Sequence, residues 1–216
     1  MGLHGKSKNI LGVLTSLFYQ SKNLRKRYPS ASSTCRTTAA QELIERHYTP
    51  TSSKTLALDL GCGANPRNPF QANELFGVDI RSELARNISK ADLSIEPIPF
   101  NDNTFDFCTA FDFIEHIPRN SYSQGKPRLA FLELMNEIHR ILKPGGLLLH
   151  CTPAFPSKEA FQDPTHVNFI TEDTMPLYFC TPHRWATGYG FNGDYELLEQ
   201  RWTDNAWLIG LMRASK

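Results

Sequence analysis

Hydrophobic and polar positions alternate along most of the chain in blocks that are typical of strands and helices in turn. Short apolar runs predict strands near 55–60, 75–79, 89–93, 106–111 and 146–152, and helical spacing predicts helices near 39–48, 66–73, 82–88 and 126–142. A short helix is predicted to open at 171–174, and two late strands are predicted near 195–202 and 206–213. This alternation predicts an α/β fold with a parallel sheet and helices on both faces. Because only residues 203–205 separate the two late strands, the final strand should run antiparallel to its neighbour.

The turn after the first predicted strand carries the most informative motif. Gly61 and Gly63 permit a tight turn and a close approach by a ligand. The second predicted strand ends in Asp79, whose carboxylate can accept both hydroxyls of a ribose. Pro66 stands where a dinucleotide site would have a third glycine, which disfavours a diphosphate ligand, and it suits the first turn of a helix.

These two places resemble the first two motifs of the class I S-adenosylmethionine-dependent methyltransferases, of the methyltransferase-domain type 11 kind. The resemblance continues through the segments at 90–93, 97–106 and 141–149 and covers roughly residues 50–155. It implies a doubly wound, mostly parallel seven-stranded sheet with an antiparallel last strand. It also implies S-adenosyl-L-methionine as the cosubstrate.

The resemblance further implies which residues bind the cosubstrate. Gly61 and Gly63 would approach its methionine part, and the N-terminus of the helix opening near Pro66 would favour its carboxylate. Asp79 would take the ribose hydroxyls. The other positions that the resemblance implies are Asp59, Ile80, Asp92, Leu93, Phe111 and His116.

Three of these positions have defined expectations. Asp92, followed by Leu93, would lie near the adenine, although Asp92 could equally cap its strand. A backbone carbonyl near Phe111 would meet the ammonium group of the cosubstrate. Asp59 is expected to order the glycine loop, and His116 to be structural or adjacent to the cosubstrate rather than a proton acceptor.

The segment at 162–168, just after the fifth predicted strand, offers the candidate catalytic residues. His166 has an intrinsic pKa that suits a general base for a hydroxyl acceptor, and Asp163 could orient its ring. Two alternatives stay open: the pair only ties the loop together by hydrogen bonds, or Asp163 and His166 bind a divalent ion with His116 or Glu115. We predict the catalytic pair and no metal site.

Charge is divided unevenly along the chain. Residues 1–36 carry seven Lys or Arg and no Asp or Glu, which leaves 16 basic and 22 acidic residues in the remainder. Apolar residues at helical spacing within 10–18 predict an amphipathic helix in this basic arm. We therefore divide the chain into an N-terminal extension at 1–40, through which a membrane surface or a protein partner could bind, and a methyltransferase domain at 41–216.

The leading functional hypothesis is O-methylation of a sugar, a glycan precursor or another polar small molecule. A nucleic-acid methyltransferase that grips RNA with the basic arm is the first alternative, and the acidic balance of residues 37–216 argues against it. A non-catalytic scaffold that binds the cosubstrate and recruits a partner is the second. Five scattered cysteines with no pair at metal-binding spacing favour a cytoplasmic location.

Overall fold

The computed structural model describes residues 35–81, 87–123, 125–204 and 206–216. The compact unit to which they belong spans Ser33–Lys216. The predicted amphipathic helix at 10–18, and residues 82–86 of the predicted helix at 82–88, lie outside the described residues. Within the described part, no helix is both long enough and apolar enough to cross a membrane.

In the part of the chain that the structure describes, seven strands form one sheet: β1 (Leu56–Leu60), β2 (Glu74–Asp79), β3 (Ile88–Lys90), β4 (Phe105–Phe111), β7 (Leu142–Pro153), β8 (Tyr195–Thr203) and β9 (Trp207–Ala214). Their order across the sheet is β3-β2-β1-β4-β7-β9-β8. Parallel pairing joins β3, β2, β1, β4 and β7, whereas β9 runs antiparallel to both β7 and β8. The predicted seven-stranded, mostly parallel sheet with an antiparallel last strand is therefore confirmed.

The helices and the remaining strands are short. Helix α1 covers Arg36–His47 and α2 covers Ala130–Ile141, while α3 (Glu159–Gln162) and α4 (Thr174–Tyr178) have one turn or little more. Single 3₁₀ turns lie at Ile114–His116 and Trp185–Tyr189. Strands β5 (Ser121–Ser123) and β6 (Lys126–Arg128) form a separate antiparallel hairpin. Helix α1 crosses position 40, and the division into 1–40 and 41–216 stays a prediction.

The two longer helices cover opposite faces of the sheet. Neighbouring strand residues point to opposite sides, so each helix packs on alternate residues of the strands. Leu58 of β1 lies in the hydrophobic cluster that contains Leu134 and Ile138 of α2. Ala57, the preceding residue, lies in the cluster that contains Leu43 of α1. Apolar residues at spacings of three and four give α2 a continuous buried stripe, and Pro144 stands just beyond its end.

The predicted helix at 66–73 is wrong. The side-chain amide of Asn68 donates to the carbonyl of Ala72 at 2.9 Å, and its oxygen accepts the Ala72 amide at 2.9 Å. Gln71 has a left-handed backbone with φ 54°, and Pro69 removes a further amide donor. Local side-chain bonds therefore close this segment into a turn, so that the segment at 66–73 provides no helix N-terminus to the glycine loop.

Two other boundaries also differ from the sequence-based prediction. Helix α2 begins at Ala130 rather than near 126, because Gly125 with φ 75° turns the chain into the β5–β6 hairpin and Pro127 keeps β6 extended. Strand β3 ends at Lys90 rather than near 93. Just beyond it, the Asp92 side chain accepts the amide of Ser94 at 3.0 Å and so closes a turn.

Gly77 in the middle of β2 lets the glycine loop pack directly on the sheet. A Cβ at this position would lie 2.5 Å from the Sγ of Cys62, 3.1 Å from Pro66 and 3.3 Å from Ile88. Contacts this short do not occur between relaxed atoms, so any larger residue must displace the loop. The small side chain of Cys62 is thus explained by packing against β2.

We expect Gly77→Ala to lower the free energy of unfolding by about 1–3 kcal/mol, the usual cost of overpacking a close contact. Gly188→Ala is the matched control, because a Cβ there would meet no atom within 4 Å, and it should change stability by less than about 0.5 kcal/mol. Chemical denaturation measures both. The double variant Gly77→Ala/Cys62→Ala should cost less than the sum of the two single changes, because it removes the Sγ that the new Cβ meets. Equal stability of Gly77→Ala and Gly188→Ala would contradict this explanation.

Candidate active site

A cleft of about 440 Å³ opens at the carboxyl ends of the central strands. Strand β1 has β2 on one side and β4 on the other, so the strand order reverses at this point, where open α/β sheets bind their ligands. The volume suits a small-molecule ligand. The cleft is lined by Gly61, Val78, Asp79, Ile80, Arg81, Ala91, Asp92, Leu93, Ser94, Asp112, Phe113, His116 and Ile117.

The glycine loop is attached to β2 by hydrogen bonds. The Gly61 amide donates to the carbonyl of Val78 at 2.8 Å, and the Gly63 amide donates to the carboxylate of Asp79 at 2.9 Å. Both glycines are left-handed, with φ 61° and 59°, and a Cβ on Gly61 would lie 2.3 Å from the Phe113 ring. Only glycine meets both requirements at position 61.

Asp59 orders this loop from beneath. Its carboxylate accepts the hydroxyl of Thr109 at 2.6 Å and the backbone amide of Arg67 at 2.8 Å. Burial raises the pKa of the Asp59 carboxyl from its usual 3.8 to about 6. Asp59 does not line the cleft. It therefore acts on the loop and not directly on a ligand in the cleft.

Asp79 presents a partly covered carboxylate at the end of β2, with 10% of its side chain exposed. It accepts the Gly63 amide, and its other oxygen accepts the amide and the Nε of Arg81, each at 3.1 Å. Burial raises the pKa of Asp79, but the hydrogen bonds from Arg81 and Gly63 outweigh burial and hold the pKa below its usual value. The carboxylate thus stays ionised, and the Arg81 side chain that bonds to it is exposed. Ile80, which is 64% exposed, lies beside it in the cleft wall.

Asp92 and Leu93 line the cleft on the β3 side. One oxygen of Asp92 accepts both the amide and the hydroxyl of Ser94, at 3.0 and 2.6 Å, so the residue closes a local turn as well as facing the cleft. Leu93 is 7% exposed and packs in the core beneath. A role of this pair near an adenine stays a prediction.

Phe111 does not place its side chain in the cleft. Its ring packs in the hydrophobic cluster on the α1 face, with the guanidinium carbon of Arg67 4.8 Å from the ring centre. Asp112 and Phe113 line the cleft instead. The predicted contact of a carbonyl near Phe111 stays a prediction.

Asp112 is a cleft residue that the sequence analysis missed. Its backbone is left-handed, with φ 51°, a conformation that asparagine and aspartate tolerate better than other side chains. Its carboxylate accepts Arg36 of α1 at 2.6 Å and the indole N–H of Trp207 of β9 at 2.7 Å. The one available signal was a charged residue directly after a buried strand.

The turn that follows β4 brings a distant loop to the cleft. The buried backbone carbonyl of Glu115 accepts the amides of Val167 and Asn168 at 2.9 and 3.0 Å. His116 lines the cleft, and its Nδ1 lies 3.2 Å from the carbonyl of Thr165. The rings of His116 and His166 lie 4.9 Å apart. The structure thus brings His166 next to a residue of the cleft wall.

Asp163 and His166 are close but not hydrogen-bonded to each other through their side chains. Their Oδ2 and Nε2 atoms lie 3.9 Å apart, and 10% of the His166 side chain is exposed. Asp163 accepts the amide and the hydroxyl of Thr165, which is the main reason that its pKa lies below the usual value. Asp163 therefore closes a turn within the loop, and its role towards His166 stays a prediction.

Comparison with known proteins agrees with this arrangement. Residues 58–150 match the family model described as a methyltransferase domain. No curated protein sequence matches the chain.

Three solved structures illustrate the shared fold. The S-adenosylmethionine-dependent methyltransferase of Mesorhizobium loti is 16% identical, with 81% of this chain and 95% of that chain covered and a TM-score of 0.52. The cyclase SpnF is 14% identical, with 87% of each chain covered and a TM-score of 0.56. A complex of the Haloferax volcanii Trm112 methyltransferase activator with a methyltransferase is 14% identical, with 91% of this chain and 94% of that chain covered and a TM-score of 0.51.

The family match, the strand order and the cleft at the glycine loop together define a class I, Rossmann-like methyltransferase domain. The chain is an enzyme whose cosubstrate is S-adenosyl-L-methionine. The residues present fit this cosubstrate, because Gly61 and Asp79 both line the cleft and Asp79 offers an ionised carboxylate at the end of β2. The family that the sequence resembles is thereby confirmed.

We expect Asp79→Asn to weaken binding of S-adenosylhomocysteine by about tenfold to hundredfold, because hydrogen bonds to a charged group contribute about 1.5–3 kcal/mol. Isothermal titration calorimetry measures the affinity. Asp102→Asn is the control, because Asp102 pairs with Arg140 and does not line the cleft. Unchanged affinity in Asp79→Asn would show that this carboxylate does not hold the ribose.

The raised pKa of Asp59 predicts a pH dependence of stability. Between its usual pKa of 3.8 and its folded pKa of about 6, the folded chain holds a proton that the unfolded chain has lost. The free energy of unfolding contributed by this group therefore falls as pH rises through that window. Asp59→Asn should remove this contribution and flatten the profile, as measured by urea denaturation at several pH values. Identical slopes for the two proteins between pH 4 and pH 6 would contradict the assignment.

Proposed function

We propose that the enzyme transfers the methyl group of S-adenosylmethionine to a hydroxyl of a polar small molecule, with a sugar or a glycan precursor as the expected acceptor class. The observation that carries this proposal is the position of His166, whose ring lies 4.9 Å from that of the cleft residue His116. A hydroxyl is a weak nucleophile until its proton is removed, so its methylation needs a group that promotes that loss beside the cosubstrate.

We propose Asp163 and His166 as the catalytic pair. His166 promotes loss of the acceptor proton, and Asp163, 3.9 Å from its Nε2, stabilises the ring in the orientation that this requires. The loop that carries both residues is attached to the turn after β4 through the carbonyl of Glu115. This attachment supports a fixed distance between the pair and the cleft.

Exposed aromatic side chains around the same loop support a ring-shaped acceptor. Phe161 and Phe169 are stacked, with their ring centres 4.7 Å apart, and are 49% and 43% exposed. Phe155 contacts Phe161 edge to face and is 43% exposed. Apolar ring faces beside a carboxylate and an imidazole are the combination that small-molecule sites present to a polar, ring-containing ligand.

The aromatic residues of the C-terminal part do not form one group. Tyr178, Tyr189 and the largely buried Phe179 line a second cavity of about 450 Å³ together with Arg119. Arg119 donates to Asn168 at 2.9 Å and so belongs to the same loop attachment. This cavity offers room for the remote part of a larger acceptor.

Two of the similar structures point to alternatives to hydroxyl methylation, which the experiment below distinguishes. SpnF is described as a cyclase, so this fold also occurs in a protein named for a reaction other than methyl transfer. The Haloferax volcanii structure contains an activator protein, which shows that a chain of this fold can have a protein partner. The basic residues at 1–36 are the segment that we propose for a partner or a membrane surface.

The first experiment is incubation of the full chain with methyl-labelled S-adenosylmethionine and three acceptor pools: nucleotide sugars and polysaccharide precursors, mixed RNA, and protein extract. Label in the sugar pool is the expected result. Label in RNA with a steep dependence on salt would establish the nucleic-acid alternative. Cosubstrate binding without transfer to any pool would favour the scaffold.

We expect His166→Gln to lower kcat by about 10²–10⁴-fold, the usual contribution of a group that moves a proton in the rate-limiting step. Affinity for S-adenosylhomocysteine should stay within about threefold, because His166 does not line the cleft. His183→Gln is the matched control, since His183 is exposed and contacts Trp185 rather than the loop at 163–168. Full activity of His166→Gln would remove this residue from the catalytic site.

A further inference from the structure

Three potential metal ligands meet beside the cleft. Glu115, His116 and His166 each offer one ligand atom, and these three atoms all lie within 4.8 Å of one another. Glu115 and His116 belong to the 3₁₀ turn after β4, and His166 belongs to the loop that the Glu115 carbonyl holds. Asp163 is not part of this group.

Two polar atoms of the group are buried without a partner. The Oε1 of Glu115 and the Nδ1 of His166 have no hydrogen-bond partner in the described part of the chain, and Glu115 is only 1% exposed. Buried polar groups in native proteins are paired almost without exception, because an unpaired one forfeits its hydration. A carboxylate oxygen and an imidazole nitrogen in this state are therefore a reason to look for a ligand between them.

The other polar atom of each side chain already has a neighbour. The hydroxyl of Thr152 donates to the Oε2 of Glu115 at 2.7 Å, and the Nδ1 of His116 lies 3.2 Å from the carbonyl of Thr165. The Nε2 of His166 faces the Oδ2 of Asp163 at 3.9 Å. Metal-binding residues show this arrangement regularly, because outer partners fix the tautomer and the ring orientation and leave the other nitrogen as the ligand.

We propose that Glu115, His116 and His166 bind one divalent cation at the edge of the cosubstrate cleft. With bonds of about 2.1 Å, neighbouring ligand atoms on one ion lie about 3–3.4 Å apart. The three atoms lie within 4.8 Å of one another, so rotation of the side chains would bring them together around an ion. Two imidazoles and one carboxylate favour Zn²⁺, Mn²⁺ or Fe²⁺ over Ca²⁺, which prefers oxygen ligands. His116 lines the cleft, so an acceptor can reach an open coordination position.

The chemical role of the cation rests on the proposed function, the methylation of a hydroxyl. A hydroxyl bound to a divalent cation has a lower pKa and loses its proton more readily. The acceptor hydroxyl releases its proton to solvent water, and its oxygen forms a bond to the methyl carbon. The carbon–sulfur bond of S-adenosylmethionine breaks with its electron pair on sulfur, which yields S-adenosylhomocysteine and the methyl ether. His166 would then promote proton loss through the cation, and Asp163 would be a positioning residue behind it.

Direct binding tests the site without any acceptor. The full chain, prepared without a polyhistidine tag and stripped with EDTA, is titrated with MnCl₂, ZnCl₂ and CaCl₂ by calorimetry, and bound Mn²⁺ is counted by loss of the free-ion signal in electron paramagnetic resonance. We expect one Mn²⁺ or Zn²⁺ per chain and much weaker binding of Ca²⁺. His116→Gln and His166→Gln should each weaken binding by on the order of 100-fold or more, and Asp163→Asn by about 10–100-fold, the usual effect of an outer partner.

His183→Gln is again the matched control and should bind Mn²⁺ as the unchanged chain does. Glu115→Gln tests the carboxylate as a ligand, and circular dichroism shows whether this buried substitution still allows folding. If it does not, His116→Gln and His166→Gln still test the cation site. Absence of stoichiometric Mn²⁺ and Zn²⁺ binding, or equal binding in His116→Gln, His166→Gln and the control, overturns the proposal.

The two proposals fail in different ways. If the chain binds no ion and still methylates a hydroxyl in EDTA, the proposal of a cation site is wrong and the proposed function stands. Stoichiometric ion binding that His166→Gln abolishes supports the site, even if no hydroxyl acceptor is methylated, and that result removes the proposed function alone.

Discussion

The backbone carbonyl of Glu115 is the contact on which the acceptor side of the site depends. It accepts the amides of Val167 and Asn168, and the Asn168 side chain returns a bond to the carbonyl of Ile114 at 3.2 Å. Glu115 and Asn168 are both buried, so water does not compete for these bonds. Together with the bond from Arg119 to Asn168, they fix the loop at 163–168 relative to the carboxyl end of β4. The proposed catalytic pair and the proposed cation site both follow from this one junction.

The two sides of the site are built in different ways. The cosubstrate side uses short-range geometry, because Gly61, Gly63 and Asp79 lie at the ends of two adjacent parallel strands, where Gly61 bonds to Val78 and Gly63 to Asp79. The acceptor side uses long-range contacts between the turn after β4 and a loop that begins beyond β7. This difference explains why the cosubstrate is established while the acceptor class is a proposal. The residues of a strand-end motif lie at a recognisable spacing in the sequence. Residues that meet at a junction between distant loops have no such spacing.

The same distinction decides what could be predicted from the sequence. The strands followed from apolar runs such as β1, whose buried residues are continuous because both faces are covered. Their arrangement in a seven-stranded, mostly parallel sheet followed from the family resemblance. The helix at 66–73 failed because Asn68 bonds to the backbone of Ala72, a competition that apolar spacing does not reveal. Asp112 was missed because its partners, Arg36 and Trp207, lie at opposite ends of the chain. The buried, unpaired polar atoms of Glu115 and His166 could not be predicted either, because the two residues meet only when the loop at 163–168 packs against the turn after β4.

The five cysteine thiols of the chain differ in their reactivity, and the close packing of Cys62 beneath Gly77 is one cause of this difference. Burial raises the pKa of the Cys62 thiol to about 11 and also raises that of Cys108, Cys151 and Cys180, so these four thiols stay protonated and slow to react. Cys35 is exposed, and hydrogen bonds from Thr37 lower the pKa of its thiol. A maleimide dye at neutral pH would therefore attach beside Arg36, the residue that joins α1 to Asp112 in the cleft wall. The native chain thus provides its own attachment point for an optical reporter of ligand entry.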